Sequence, residues 1–170
     1  VTQTGAVAMK AATYSENTET KTSGTLIKTK STAGTPTIYY TVTAQTSSRT
    51  ETSVKVSVAV TASLGSSNAH FGRGYGLVGS VYMGGAWHNV TIKKTSANWK
   101  GKTGHTASVS FTVSGLSAAT ASLTGIKFKV TRSDSGGNAG KLAEKSCSNL
   151  AIKAYTAPSV QEYYLSASNY

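Results

Sequence analysis

Between Ser53 and Val60 the chain reads Ser-Val-Lys-Val-Ser-Val-Ala-Val, and this alternation constrains the fold more than any other segment. A repeat of two puts Val54, Val56, Val58 and Val60 on one face of an extended strand, and Lys55, Ser57 and Ala59 on the other. On a helix the same valines would scatter around the axis and leave no apolar stripe. The pattern recurs at Val109, Phe111 and Val113, and at Ile126, Phe128 and Val130. Val90 and Ile92 make a shorter pair, and Leu150, Ile152 and Ala154 close the series. Branched side chains of this kind suit a pleated, half-buried surface. Only Lys141–Lys145 offers even one helical turn.

Turn residues punctuate these runs: Gly65–Asn68, Gly84-Gly85, Gly101–Gly104, Ser114–Ala121 and Ser133–Gly140. The Gly84-Gly85 pair between two apolar runs is a hairpin signal. Six or seven short strands at this spacing predict an all-β fold, an antiparallel β-sandwich of immunoglobulin-like or jelly-roll-like kind with extended N- and C-terminal arms. Pro36 is the natural start of the sandwich, and Pro158 interrupts its end. The expected division is a Thr/Ser/Lys-rich arm or linker over 1–36, with one strand around Thr25–Lys28. The sandwich follows over 37–156, and a polar-aromatic tail over 157–170. The expected core is Tyr40, Val42, Val54, Val56, Val58, Val60, Val81, Val90, Ile92, Val109, Phe111, Val113, Ile126, Phe128, Val130, Leu150 and Ile152. Cys147 is the single cysteine, so no internal disulfide forms, and it reads as a small, buried, inert side chain.

The chemistry-bearing residues are few. Six acidic residues, of which Asp134 is the sole aspartate, and three histidines leave little from which to build a catalytic constellation. Ser133-Asp134-Ser135-Gly136-Gly137 resembles the surroundings of a trypsin-like nucleophile. That mechanism needs a histidine base oriented by another carboxylate. Between His105 and Ser135 the only acid is Asp134 itself, so the segment reads as a turn. Gly137–Lys141 is too short for a phosphate loop, and Leu142 stands where Ser or Thr must meet the metal. No zinc spacing and no cluster of oxygen ligands occurs, so no metal and no cofactor are expected. No paired carboxylates support glycoside hydrolysis.

The net charge of +11 comes from dispersed lysines that alternate with apolar residues, as in Ile126-Lys127-Phe128-Lys129-Val130. This pattern puts them on wet strand faces, where they blunt sheet edges. Attraction to an anionic surface such as a teichoic acid or acidic polysaccharide is the alternative, and no nucleic-acid partner is expected. No apolar run approaches the ~18 residues of a membrane helix, so no membrane insertion is expected. The aromatic residues are the remaining lead. His70, Arg73, Tyr75, Trp87 and Trp99 are the candidate ligand-binding residues, because flat rings beside polar donors hold sugars by stacking and hydrogen bonding. Core packing is the alternative for Trp87 and Trp99. In the tail, Tyr163, Tyr164, Leu165 and Tyr170 are candidate contacts with another subunit.

Two stretches carry a family resemblance. One includes Tyr39-Tyr40-Thr41-Val42, Ser53-Val54-Lys55-Val56, Gly74-Tyr75-Gly76-Leu77 and Ala86–Lys93 (Ala-Trp-His-Asn-Val-Thr-Ile-Lys). The other is Thr124–Asp134. Over about residues 37–156 the chain resembles β-sandwich modules of minor structural and tail-tip, receptor-binding proteins of long-tailed phages of Gram-positive bacteria. The resemblance implies a non-enzymatic virion protein of tail, tail tip or fibre, located in the virion or outside cells. It also implies other virion subunits as partners, a homo-oligomer, and contact with the host surface. The alternative function is a carbohydrate- or cell-wall-binding module of a bacterial surface protein.

Overall fold

The computed structural model of the chain describes residues 22–32, 36–137 and 139–157. All regular structure among them is β. Sheet I contains β1 (Thr22–Thr32), β2 (Thr37–Ser47), β3 (Ser53–Leu64) and β8 (His105–Ser114), in the order β1-β2-β3-β8. Sheet II contains β5 (Tyr75–Met83), β6 (Ala86–Lys93), β10 (Lys127–Asp134) and β11 (Ala139–Ser146), in the order β11-β10-β5-β6. Every pairing within them is antiparallel. Two short ribbons complete the fold: β4 (His70–Phe71) with β7 (Trp99–Lys100), and β9 (Ser122–Leu123) with β12 (Leu150–Ala151). The sheets stack as a β-sandwich whose edge strands meet, β6 against β8 and β1 against β11.

The valines of β3 explain this stacking. Val54, Val56, Val58 and Val60 are at most 1% exposed. They meet Phe128, Val130, Val81 and Leu77 from the facing sheet in one continuous core. Tyr40 touches Phe128 edge-on, with centroids 5.8 Å apart. Each such side chain contributes roughly 1.5–3 kcal/mol on burial. Of the expected core, only Val109 and Phe111 are half-buried. They lie on β8, an edge strand covered on one side only. The outer face of sheet I is a carpet of small hydroxyls, paired across strands as in Thr61–Thr106 (3.1 Å) and Ser57–Ser110 (3.2 Å).

Several boundaries differ from expectation. Residues 22–32 belong to the sandwich as β1, not to an arm ending at 36. An edge strand needs few large apolar groups, and Leu26, buried, with half-buried Ile27 beside it, anchors β1 to the core. Lys141–Lys145 is strand, part of β11, because it completes sheet II beside β10. The Ser133–Gly140 turn shrinks accordingly. Leu150 and Ile152 are buried as expected, but the strand there is only Leu150–Ala151. Gly84 and Gly85 do form the β5–β6 hairpin, with φ of 64° and 81°. Both values fall where residues with a Cβ are strained. Cys147 is half-buried in the loop after β11, and burial pushes its thiol up to about 11.

Two buried cations organise the ends of the sandwich. Arg49, 1% exposed, sits in the β2–β3 loop. Its guanidinium donates to the carbonyl oxygens of Lys153 (3.0 Å), Glu51 (3.2 Å), Ser117 (2.6 Å) and Thr120 (3.2 Å), and also to that of Thr50. These acceptors come from three separate segments of chain. At the other end Lys93, 2% exposed, donates to the carbonyls of Gly72 (2.9 Å), Tyr75 (2.5 Å) and Lys94 (3.1 Å). Lys93 was expected on a wet face. A bulge between Leu77 and Val78 in the β5–β6 register turns both Ile92 and Lys93 inward. Desolvation lowers its pKa.

Replacing Arg49 with Met strands these carbonyls without a donor. Urea titration is expected to show a loss of about 3–5 kcal/mol in unfolding free energy, with the slope unchanged. A second expectation concerns Tyr40, whose burial pushes its pKa up to about 12 despite a 2.8 Å hydrogen bond to Ser31. The neutral phenol is favoured in the folded state. Its contribution is therefore complete below pH 10 and fades as the pH climbs toward about 12, by roughly 2–3 kcal/mol in total. Thermal melts across that window should shift less in Tyr40→Phe than in the native chain.

Candidate functional site

His70, Arg73 and Tyr75, in the Gly-rich stretch that begins at β4, and Trp99, in the later polar loop 96–102, were expected to meet a ligand, with core packing the alternative for Trp99. The structure does gather most of these residues at one end of the sandwich, but it uses them mainly as scaffold. Trp99 is 1% exposed, and its indole N–H donates to the Thr103 carbonyl at 2.5 Å. Its ring meets Phe71 edge-on, centroids 6.4 Å apart, and leans on His105 at 4.5 Å. Trp99 is therefore a core residue, which corrects its assignment to ligand binding. A polar loop sequence concealed this, because the β4–β7 pairing of Phe71 with Trp99 closes the end of the core only in three dimensions.

Tyr75 is 39% exposed, but its ring is held between Phe71 (5.9 Å) and the Arg132 guanidinium (4.2 Å). Lys93 stands 5.1 Å from the Phe71 ring centroid, so the whole loop wraps an ammonium group. His70 is exposed, and its Nε2 lies 2.6 Å from Asn98 Oδ1. Arg73 is exposed.

Trp87 stands apart from this group, 36% exposed on the outer face of sheet II near the opposite end. Val90 and Ile92 point inward, so strand parity sends Trp87, Asn89 and Thr91 outward. Trp87 lies opposite Tyr82, with ring centroids 5.3 Å apart and planes inclined at 58°. Across β10, the Lys129 ammonium is 4.2 Å from the Trp87 centroid and that of Lys127 is 5.8 Å from the Tyr82 centroid. Beside them the Ser80 hydroxyl donates to Asn89 Oδ1 at 2.6 Å. Tyr82, Lys127 and Lys129 were not singled out as site residues. Their alternation with Val81, Phe128 and Val130 was the available signal for a shared outer face.

This outer face can stack a ligand ring on an aromatic surface while placing an anion beside an ammonium. Each cation–π contact at such an exposed position is worth about 0.5–1 kcal/mol, so an incoming ligand can displace it. The inclined rings do not form one flat platform.

The chemistry weighed for Ser135 finds no support in these contacts. Ser135 sits in a turn where its N–H donates to the Gly74 carbonyl at 2.8 Å. Asp134 Oδ1 accepts from the Gly136 N–H at 2.9 Å. All three imidazoles are engaged elsewhere: His70 with Asn98, His105 with Trp99, and His88 stacked on Phe111 at 3.5 Å. Glu144 pairs with Lys141 at 3.3 Å. Among the described residues no group of three or more metal-ligating side chains forms. Tyr163, Tyr164, Leu165 and Tyr170 lie outside the described residues.

No family model, no curated protein and no solved structure matches the chain.

The two tryptophans should separate cleanly in stability. Trp99→Ala is expected to lower the unfolding free energy by about 3–5 kcal/mol. Trp87→Ala should change it by less than about 1 kcal/mol. Urea denaturation followed by far-UV circular dichroism measures both.

Proposed function

We propose that this chain is a non-enzymatic structural module of a phage virion, in the tail or tail tip, that contacts the host cell surface. One observation carries the contact function: the solvent-facing Trp87 and Tyr82 rings with the Lys127 and Lys129 ammonium groups over them. They sit on the wet face of a sheet whose other side already packs the core. The net charge of +11 draws the module toward the anionic envelope of a bacterium, and the attraction weakens as salt rises. The resemblance of residues 37–156 to phage tail modules, carried by the short strings quoted above, motivates the virion setting. The engaged imidazoles and the turn around Ser135 favour a contact role over bond-making.

A carbohydrate- or wall-binding module of a bacterial surface protein is the second reading, and the same outer face favours it. The two part company on assembly. Immunogold labelling of purified phage particles, and sedimentation of the purified chain, test the virion role. Labelled tails and a homo-oligomer support it, whereas unlabelled particles and a strict monomer return the chain to the surface-protein reading. For the contact itself, Trp87→Ala with Lys129→Ala is expected to reduce sedimentation with Gram-positive cell-wall fragments at least about tenfold. Melting should stay unchanged. Wall binding unaffected by the double variant would remove the outer face of sheet II from the contact.

A further inference from the structure

The most exposed large ring among the described residues is neither tryptophan. It is Tyr39, 45% exposed, at the start of β2 on the outer face of sheet I. Its position is imposed from below. The ring lies against Gly65, where a Cβ would sit 2.6 Å from Tyr39 Cε2. Only a residue without a side chain lets the ring settle over the loop there. Tyr39 is also the shared wall of two depressions. One, about 620 Å³, runs from the Tyr39 ring past Ser66 and Asn68 to His70. The other, about 490 Å³, lies between Tyr39 and Thr41 on β2 and Lys28 and Lys30 on β1.

The two depressions differ in chemistry. The first offers hydroxyl, amide and imidazole groups around an aromatic face. Its imidazole is oriented by the 2.6 Å contact with Asn98. Neutral donors and acceptors beside a flat ring suit a sugar. The second is basic. Lys30 is the direct cross-strand partner of Tyr39, and Lys28 that of Thr41, so both lysines lie on the same face as the ring. Two positions along a strand separate them by about 6.6 Å. Both are exposed.

We propose that these adjoining depressions form a binding site for an acidic oligosaccharide, one sugar ring stacking on Tyr39 and ring carboxylates reaching Lys30 and Lys28. A carboxylate borne on the sugar ring keeps its charge beside the stacked face, where the cross-strand lysine stands. A nucleic-acid strand is the poorer occupant, because no Lys or Arg lines the first depression itself and the nearest cross-strand cation there, Lys100 beside His70, stands alone against a continuing run of phosphates. The proposal deepens the host-contact function by naming a ligand class. It uses another sheet, the opposite end of the sandwich and none of the residues around Trp87.

Calorimetric titration of the full chain with hexameric oligogalacturonate tests the site. Binding is expected to weaken as sodium chloride rises and to fall at least about tenfold in Lys28→Glu/Lys30→Glu, whose side chains are exposed and leave the fold intact. Tyr39→Ala should lose as much, and Trp87→Ala should lose none. The fully methyl-esterified hexamer, with its charge removed, is expected to bind at least about tenfold more weakly. The proposal is overturned by no binding, by equal binding of the esterified oligomer, or by retained affinity in the lysine variant. Tighter binding of a thymidylate hexamer would also overturn it. Wall binding that depends on Trp87 without any oligogalacturonate binding would sink this site and leave the broader function standing.

Discussion

A cation buried among main-chain carbonyls is the contact on which the ends of this sandwich depend. Two stacked sheets solve their own hydrogen bonding through the ladders, but the loops that cap them do not. Carbonyl groups that turn inward there lose water and need donors. Arg49 supplies several donors from one planar group and so ties the β2–β3 loop to residues 117–120 and to Lys153. Lys93 does the same with fewer donors at the other end, drawing the carbonyls of Gly72, Tyr75 and Lys94 around one ammonium. A chain with a single cysteine has no internal disulfide with which to close those loops. Buried charge is a demanding substitute, tolerable only because the carbonyl dipoles replace the lost water.

This division of labour frees the faces of the sheets. With the core filled by valine and phenylalanine and the loops held by two cations, the outward positions carry little structural obligation. Sheet I spends most of them on small hydroxyls, and sheet II sets two rings and two lysines side by side. The same elementary alternation therefore makes both a core and the outer face proposed for contact from one strand. Val81 and Phe128 look inward, while their neighbours Tyr82 and Lys127 look out. The proposed binding function needs no more apparatus than that.

The sequence disclosed its strands wherever apolar residues alternated on both sides of a recognisable turn. β3, β10 and the β5–β6 hairpin were legible for that reason. β1 was legible only as a short strand around Thr25–Lys28 within an arm, and β11 not at all, because edge strands bury few side chains and their composition resembles that of a loop. Of the two tryptophans, the sequence disclosed the surroundings of one and hid those of the other. Trp87 does face solvent, and its parity with Asn89 and Thr91 was already visible. Trp99 looked like a loop residue because Ser, Ala, Asn, Lys and Gly surround it. Its burial arises from a ribbon formed with Phe71, 28 positions earlier in the chain. Lys93 misled for a different reason: a bulge of one residue reverses parity, and nothing local announces it.

By itself, then, the order of residues determined the strand periodicity, the sandwich class, most of the core and the scarcity of catalytic groups. These are local or additive properties, set by which side of a pleat each residue occupies and by what the chain contains. Tertiary structure alone decided which cations went inside, which tryptophan stayed outside, and that Tyr39 would lie over Gly65 between a neutral and a basic depression. Those outcomes depend on register, bulges and the meeting of distant loops, where a shift of one residue exchanges the two faces of a strand.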